Sequence, residues 1–237
     1  MQLFDQYGTN YGETVQRSVD FSGLEYEFFV TAKTNLLKRL IAARQLADKR
    51  PSLLDVGCGI GTMHDHLQDT FDLICGVDVS AASIETAKAR NPHNEYRVME
   101  GLRVPQESAR FDVVIAVCVF HHVELAERQT FMIELKRVVR PGGLVCIIEH
   151  NPYNPLTRLA VIRCPFDHDA RLLSSAQTRR LMRSAGLVDV AAQYFLLFPF
   201  RSALSERLEL ALSAVPLGAQ YASIGERSLA DKGEPVT

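Results

Sequence analysis

The residues best suited to chemistry lie between Asp55 and Gly61. The run Asp55-Val56-Gly57-Cys58-Gly59-Ile60-Gly61 puts a carboxylate at the end of an apolar stretch and follows it with three glycines that alternate with other residues. An apolar run entering a Gly-rich turn, with helix-compatible sequence from Met63 to Thr70 behind it, reads as strand, tight turn and helix. Glycines there allow positive φ and let a ligand approach the backbone, and the N–H groups of a helix start suit a polar ligand. The turn is not the dinucleotide pattern G-x-G-x-x-G, because position 62 is Thr and the third glycine comes one place early. The acid matters as much. A pyrophosphate gains nothing from a carboxylate beside it, whereas a ligand ending in a cationic amino-acid group does.

The elements that must position this turn follow from periodicity. Apolar residues at helical spacing predict a helix over 24–48, closed by Pro51. Strands are expected at about 52–56, 73–77, 95–99, 112–117, 144–149, 188–195 and 219–224. Helices are expected from the glycine turn to Asp69, from a Ser80 cap to Arg90, over 124–139, from a Ser174 cap to Ala185, and over 202–212. Pro141-Gly142-Gly143 reads as a turn. Residues 151–173 break the rhythm, since Asn151-Pro152 and Asn154-Pro155 are turn formers and an irregular insertion follows. Strands alternating with helices imply βαβ units and a parallel sheet.

Asp55 to Gly61 resembles motif I of the class I S-adenosylmethionine-dependent methyltransferases, and the resemblance extends over about residues 50–226. Val77-Asp78-Val79-Ser80 matches the acidic end of strand two. Phe111-Asp112-Val113-Val114 with His121-His122-Val123 matches the strand-four motif, and Arg140-Pro141-Gly142-Gly143 matches the turn before strand five. The resemblance implies an α/β fold: a Rossmann-like seven-stranded methyltransferase sheet with helices on both faces, an N-terminal helical lid and an insertion after strand five. It implies one domain over 1–237, with a lid at 1–48, a core at 49–226 containing the 151–173 insertion, and a flexible tail at 227–237. The implied cofactor is S-adenosyl-L-methionine, with S-adenosyl-L-homocysteine as product.

Roles follow residue by residue. Asp78 lies 23 residues after Asp55, where a carboxylate accepts hydrogen bonds from a ribose diol. Val79 is expected against the adenine, and Glu100-Gly101 resembles the loop that carries an acid to the adenine amino group. Gly57, Cys58, Gly59 and Gly61 give backbone approach, Asp55 orients the turn and meets the methionine amino group, and Val117 and Cys118 touch the cofactor through their backbone. Tyr7 and Tyr11 are lid candidates, with ordinary aromatic packing as the alternative. His122 is a contact candidate in the loop after strand four.

Methyl transfer from a sulfonium is an in-line displacement, so positioning in a dry pocket supplies much of the catalysis, and a base matters only where the acceptor must lose a proton. His150, after Glu149 at the carboxyl end of strand five, is the first candidate base; substrate contact and a structural role stand beside it. His150, Asp167, His168 and Asp169 can be drawn as a metal-ligand set, but three of them are consecutive, and solvated loop charges with no metal are the expectation. Six arginines between Leu156 and Ala185 suit an anionic acceptor or, more simply, a solvated helix face.

Bulk properties narrow the class. The chain has 237 residues, 47% of them hydrophobic, and a net charge of −2, which argues against disorder and against a nucleic-acid footprint. No apolar run reaches the length of a membrane span. The first ten residues lack a signal-peptide pattern. Five cysteines, an odd number without C-x-x-C, suggest free thiols in a reducing compartment. The expectation is a cytoplasmic enzyme acting on a small-molecule acceptor, with the apolar Tyr194–Phe200 stretch serving a hydrophobic acceptor or a homodimer. A non-catalytic cofactor-binding module and a nicotinamide-dependent oxidoreductase are the alternatives.

Overall fold

The computed structural model describes residues 11–44, 50–200 and 202–231, and of Tyr11 the backbone only. Its centre is β1 (Ser52–Val56), flanked by β2 (Leu73–Asp78) and β4 (Phe111–Val117). With β3 (Glu95–Val98), β5 (Val139–His150), β6 (Leu187–Phe195) and β7 (Gln220–Arg227) these form one sheet of order β3-β2-β1-β4-β5-β7-β6. The pairings from β3 to β5 are parallel, and β7 runs antiparallel to both β5 and β6.

Apolar residues on both faces explain why the central strands read as continuous runs rather than alternating ones. Leu54, Val56, Val77, Val114, Ala116 and Ile147 face one core, against Phe131, Met132 and Leu135 of α4 (Arg128–Val138). Leu53, Ile74, Val113, Ile115 and Ile148 face the other, against Leu36, Leu37 and Ile41 of α2 (Tyr26–Ala43). Because side chains alternate along a strand, a one-residue slip of β1 would exchange the two sets. The register Leu53↔Ile74, Leu54↔Cys75 is thereby held, and with it the depth at which Asp55 leaves the sheet.

The remaining helices are α1 (Tyr11–Val19), α3 (Ala81–Arg90), α5 (Pro155–Arg163), α6 (Ser175–Ser184) and α7 (Ala203–Ala211). α1 packs beside α5, and the Arg163 guanidinium sits 5.8 Å over the Phe21 ring, so the N-terminal segment and the insertion meet over the carboxyl ends of the strands. No helix among the described residues is long and apolar enough to cross a membrane.

Four segments differ from the sequence expectation. After the glycine turn there is only a 3₁₀ segment, Thr62–His66, because its bonds run i to i+3 and buried His64 is drawn inward to Asp55 and Tyr96. The 151–173 insertion is not irregular throughout. Asn154 Oδ1 accepts from Thr157 N–H and caps α5, with Pro155 at its first position, a placement that suits a residue without an N–H. Arg140-Pro141-Gly142-Gly143 lies within β5 as a bulge, where the pairing jumps from Phe111↔Val139 to Val113↔Leu144 and Gly142 has φ +75°. β7 continues to Arg227, which is buried and donates to the carbonyls of Lys136, Arg137 and Val139.

Candidate functional site

A cavity of about 760 Å³ opens at the carboxyl ends of β1, β4 and β5, beneath α1, α2 and α5. This is where an open α/β sheet places its ligands.

The end of the cavity beside the glycine turn is built around Asp55. It is 4% exposed; its Oδ2 lies 3.1 Å from His64 Nε2, while His64 Nδ1 lies 2.7 Å from the Tyr96 hydroxyl. His64 donating through Nε2 to Asp55 Oδ2 and accepting from the Tyr96 hydroxyl links the three side chains in one chain of hydrogen bonds. The other oxygen, Oδ1, is buried with no partner among the described residues. An acceptor left bare in this way costs roughly 1–3 kcal/mol unless a ligand donates to it. Asp55 lines the cavity, so a cationic amino group is the donor that fits.

The three glycines do different jobs. Gly57 has φ +79°, and a Cβ there would stand 2.4 Å from Val119 Cγ2. Gly61 has φ +71°, with Tyr96 Oη 2.8 Å from a Cβ position, and it does not line the cavity. Gly59 has φ +53° with nothing within 4 Å of a Cβ and does line the cavity. The open approach expected of all three therefore belongs to Gly59. Its N–H donates to Asp78 Oδ2 at 2.8 Å, and Ser80 N–H donates to Asp78 Oδ1 at 2.9 Å. Burial pushes the Asp78 carboxyl above its ordinary range, and the Ser80 and Gly59 N–H groups oppose that rise. Each oxygen keeps a lone pair for a diol.

Cys58, Val79, Gly101, Val117 and Cys118 line the cavity. Glu100 does not: it is exposed and paired through its backbone with Arg103, and its neighbours Met99, Gly101 and Leu102 line the cavity instead. Tyr7 and the Tyr11 side chain lie outside the described residues. None of the six arginines lines the cavity; Arg171, for example, lies 3.5 Å from Glu124 at the surface.

The opposite end is a cluster that no local pattern announces. Glu149, fully buried, accepts from Phe120 N–H at 2.7 Å and from His121 Nδ1 at 2.6 Å. His121 Nε2 lies 3.3 Å and His122 Nε2 3.4 Å from Asp167 Oδ1. Asp167 thus turns inward, while His168 and Asp169 are exposed and paired with each other. His150 stacks obliquely on His121, with centroids 5.3 Å apart, and receives Gln220 Nε2 at 3.4 Å, since Gln220 is its register partner on β7. Burial opposes the charge on His121, but Glu149 and Asp167 hold its pKa well above the usual histidine range. Burial also works against a charged His150, while Cys118 and Asp167 act in the opposite sense and its pKa lies above the usual histidine value. Burial would raise the Cys118 thiol, yet Lys33, at 3.9 Å, and His150 bring it down. Cys118 holds φ +58° at the end of β4, a conformation uncommon for a side-chain-bearing residue.

Leu156 of α5, which lines the cavity, is 61% exposed, and Ile162 of α5, Phe200 and Leu204 are exposed apolar residues elsewhere on the surface.

Comparison with known proteins agrees with this geometry. Residues 54–147 match the family model described as "Methyltransferase domain". A ubiquinone biosynthesis O-methyltransferase from Maricaulis maris is 29% identical over 161 residues, covering 60% of this chain and 62% of that protein. A tRNA (carboxymethyluridine(34)-5-O)-methyltransferase from Saccharomyces cerevisiae is 35% identical over 95 residues, covering 40% of this chain and 33% of that protein. The chain thus spans less than two thirds of the length of these relatives. Among solved structures, a SAM-dependent methyltransferase from Archaeoglobus fulgidus superposes with a TM-score of 0.60 at 15% identity, over 86% of this chain and 100% of that one.

Proposed function

We propose that this chain, which belongs to the class I S-adenosylmethionine-dependent methyltransferases, binds S-adenosylmethionine across the ends of β1, β2 and β4 and transfers its methyl group to an oxygen, nitrogen or carbon of a small, largely apolar acceptor. The observation that carries this reading is the Asp55 Oδ1 atom, buried and unpartnered, beside the open backbone of Gly59 and the fixed carboxylate of Asp78 in one cavity.

When bound, the cofactor supplies an electrophilic methyl on a sulfonium. The chain's own residues do the rest. Asp55 would take the amino group, with His64 and Tyr96 holding the carboxylate in place. Asp78 would take the ribose, and Val79, Met99 and Leu102 would cover the adenine. The apolar walls exclude water, which strengthens every polar contact inside. His150 and His122 face the acceptor end, where His150 can receive a proton from an acceptor hydroxyl. An apolar acceptor follows from the lining, in which Lys33 is the single Lys or Arg among the described residues and aliphatic and aromatic side chains predominate. The exposed Leu156, Ile162, Phe200 and Leu204 suit a hydrophobic acceptor or a second copy of the chain, and light scattering with and without acceptor separates the two. The cytoplasm is the expected place of action.

The test is calorimetric titration with S-adenosylhomocysteine on wild type, Asp78→Ala and Asp78→Asn. The expectation is micromolar binding, weakened about tenfold or more by alanine, which is about 1.4 kcal/mol, and less by asparagine, which keeps an oxygen for Gly59 N–H. Absence of binding by folded wild type, or binding of a nicotinamide dinucleotide instead, overturns the reading. With binding established, an acceptor panel of phenols, amines and an unmodified tRNA fraction distinguishes a small-molecule enzyme from one acting on RNA and from a non-catalytic binding module.

A further inference from the structure

The cluster at the acceptor end is close on one side of His121 and more open on the other. His121 Nδ1 is 2.6 Å from Glu149, a tight charge-assisted contact. On the other side of the same ring the separation from Asp167 opens to 3.3 Å, and His122 Nε2 also stands off Asp167 by 3.4 Å. Charge-assisted N–H···O bonds close to about 2.7–2.9 Å. Metal–ligand lengths of about 2.0–2.1 Å place the ligand atoms of a tetrahedral site about 3.3–3.4 Å apart, and the His121 Nε2 to Asp167 Oδ1 separation of 3.3 Å falls in that range.

We propose that His121, His150 and Asp167 bind a divalent first-row transition-metal ion, zinc by the chemistry of the donors, on the wall of the cavity. One ligand atom from each lies within 4.8 Å of the other two, and all three residues line the cavity. The fold delivers them from three places: the 3₁₀ segment after β4, the last residue of β5 and the 3₁₀ segment Pro165–Asp167. Glu149 supplies what an isolated cluster lacks. By accepting from Nδ1 it fixes the tautomer that turns Nε2 toward Asp167, the carboxylate–histidine support that ligating imidazoles characteristically have. Two imidazoles and a carboxylate suit zinc, iron, cobalt or nickel rather than magnesium or calcium. Three protein ligands leave a coordination position toward the cavity, as in catalytic rather than structural sites.

The ion site stands on these residues alone, and its role in the reaction rests on the methyl-transfer reading. With the ion in place His150 is a ligand and not a free base. An acceptor hydroxyl at the open position loses its proton to solvent at a lower pH than it would free. The oxygen then forms the O–CH₃ bond as the S–CH₃ bond breaks. The acceptor class this favours is an enol, phenol or hydroxy compound, ahead of an amine or a carbon centre.

The experiment uses the full chain after treatment with a chelator, its integrity checked by circular dichroism and by S-adenosylhomocysteine binding. Cobalt(II) and zinc(II) are added separately, with equilibrium dialysis and elemental analysis for stoichiometry and the visible spectrum of the cobalt form for geometry. The expected result is about one ion per chain, a tetrahedral cobalt spectrum, and affinity weakened about tenfold or more by Asp167→Asn, His150→Gln or His121→Ala, with S-adenosylhomocysteine affinity unchanged. His121 is buried, and if its alanine variant does not fold the other two variants carry the test. Substoichiometric uptake by folded protein overturns the proposal, as does uptake that survives both Asp167→Asn and His150→Gln. A protein that binds the ion but not S-adenosylhomocysteine upholds the metal site while the cofactor reading fails. The converse result refutes the metal site and leaves the cofactor reading intact.

Discussion

Replacing Gly57 and Gly59 separately by alanine divides folding from binding at the glycine turn. Both residues hold positive φ, +79° and +53°, and an alanine in that region costs roughly 1–2 kcal/mol. Alanine also restricts the unfolded chain, which returns about 0.4–1 kcal/mol to each variant. The sites differ in what the new methyl meets. At Gly57 it lands 2.4 Å from Val119 Cγ2, and Val119 is β-branched and stiff at χ1, so overpacking adds roughly 1–3 kcal/mol. At Gly59 it meets no protein atom within 4 Å and enters the cavity. Gly57→Ala should therefore lose about 1–5 kcal/mol of stability and Gly59→Ala about 0–2 kcal/mol. Affinity for S-adenosylhomocysteine should show the reverse contrast. In Gly59→Ala it falls about tenfold or more, because the methyl occupies ligand space, while Gly57→Ala, where folded, binds more nearly normally. Urea unfolding and calorimetry on the same preparations give both numbers. If Gly59→Ala binds like wild type, the ligand does not approach this turn. If Gly57→Ala unfolds at the wild-type midpoint, the Val119 contact does not constrain the turn.

Two further predictions concern charge. Cys118 is the one cysteine whose thiol is drawn down, by Lys33 and His150 against its burial, whereas burial pushes Cys75, Cys146 and Cys164 up to about 12 and raises Cys58 as well. Iodoacetamide at neutral pH should label Cys118 first, with slower labelling in S-adenosylhomocysteine and in Lys33→Met, and a peptide map showing another cysteine ahead of it refutes this. Burial works to raise the Glu134 carboxyl, but Arg137 outweighs it and lowers the pKa, with Val104 N–H adding a bond at 3.0 Å. A lowered folded-state pKa gives stability that is present above the unfolded value of about 4.3 and lost as pH falls through the folded one. Glu134→Gln should thus cost about 1–2 kcal/mol at pH 7 and progressively less as the solution is made acid. A difference in urea midpoint that stays constant across that range refutes the pairing.

The two ends of the cavity differ in how far they can be read from sequence, and the reason is how each is built. The proposed cofactor end is made by the backbone of consecutive residues and by one acid at the end of each of two neighbouring strands. Asp55, Gly59 and Asp78 stood out because a tight turn between an apolar strand and polar sequence leaves a local pattern. Where that local pattern misled, a long-range contact had intervened. Gly61 packs tightly against Tyr96 and Asn91 and does not line the cavity, and His64, which carries no signal of its own, ends the expected helix by reaching back to Asp55. Glu100 sits at the expected place in the loop, yet the bridge to Arg103 leaves its side chain in solvent. Asn154-Pro155 was read as a turn although the same two residues make a cap and first helical position for α5.

The acceptor end has no such local signature. Glu149, His121 and Asp167 come from separate elements, and nothing in their spacing along the chain distinguishes them from ordinary charged residues. His150 lines the cavity, but its partners Cys118 and Gln220 depend on the strained end of β4 and on the antiparallel register of β7. A shared cofactor demands shared backbone geometry and so leaves a recurring sequence pattern. An acceptor is met by side chains gathered across the fold, which is why the choice of acceptor turns on residues that only the folded chain brings together.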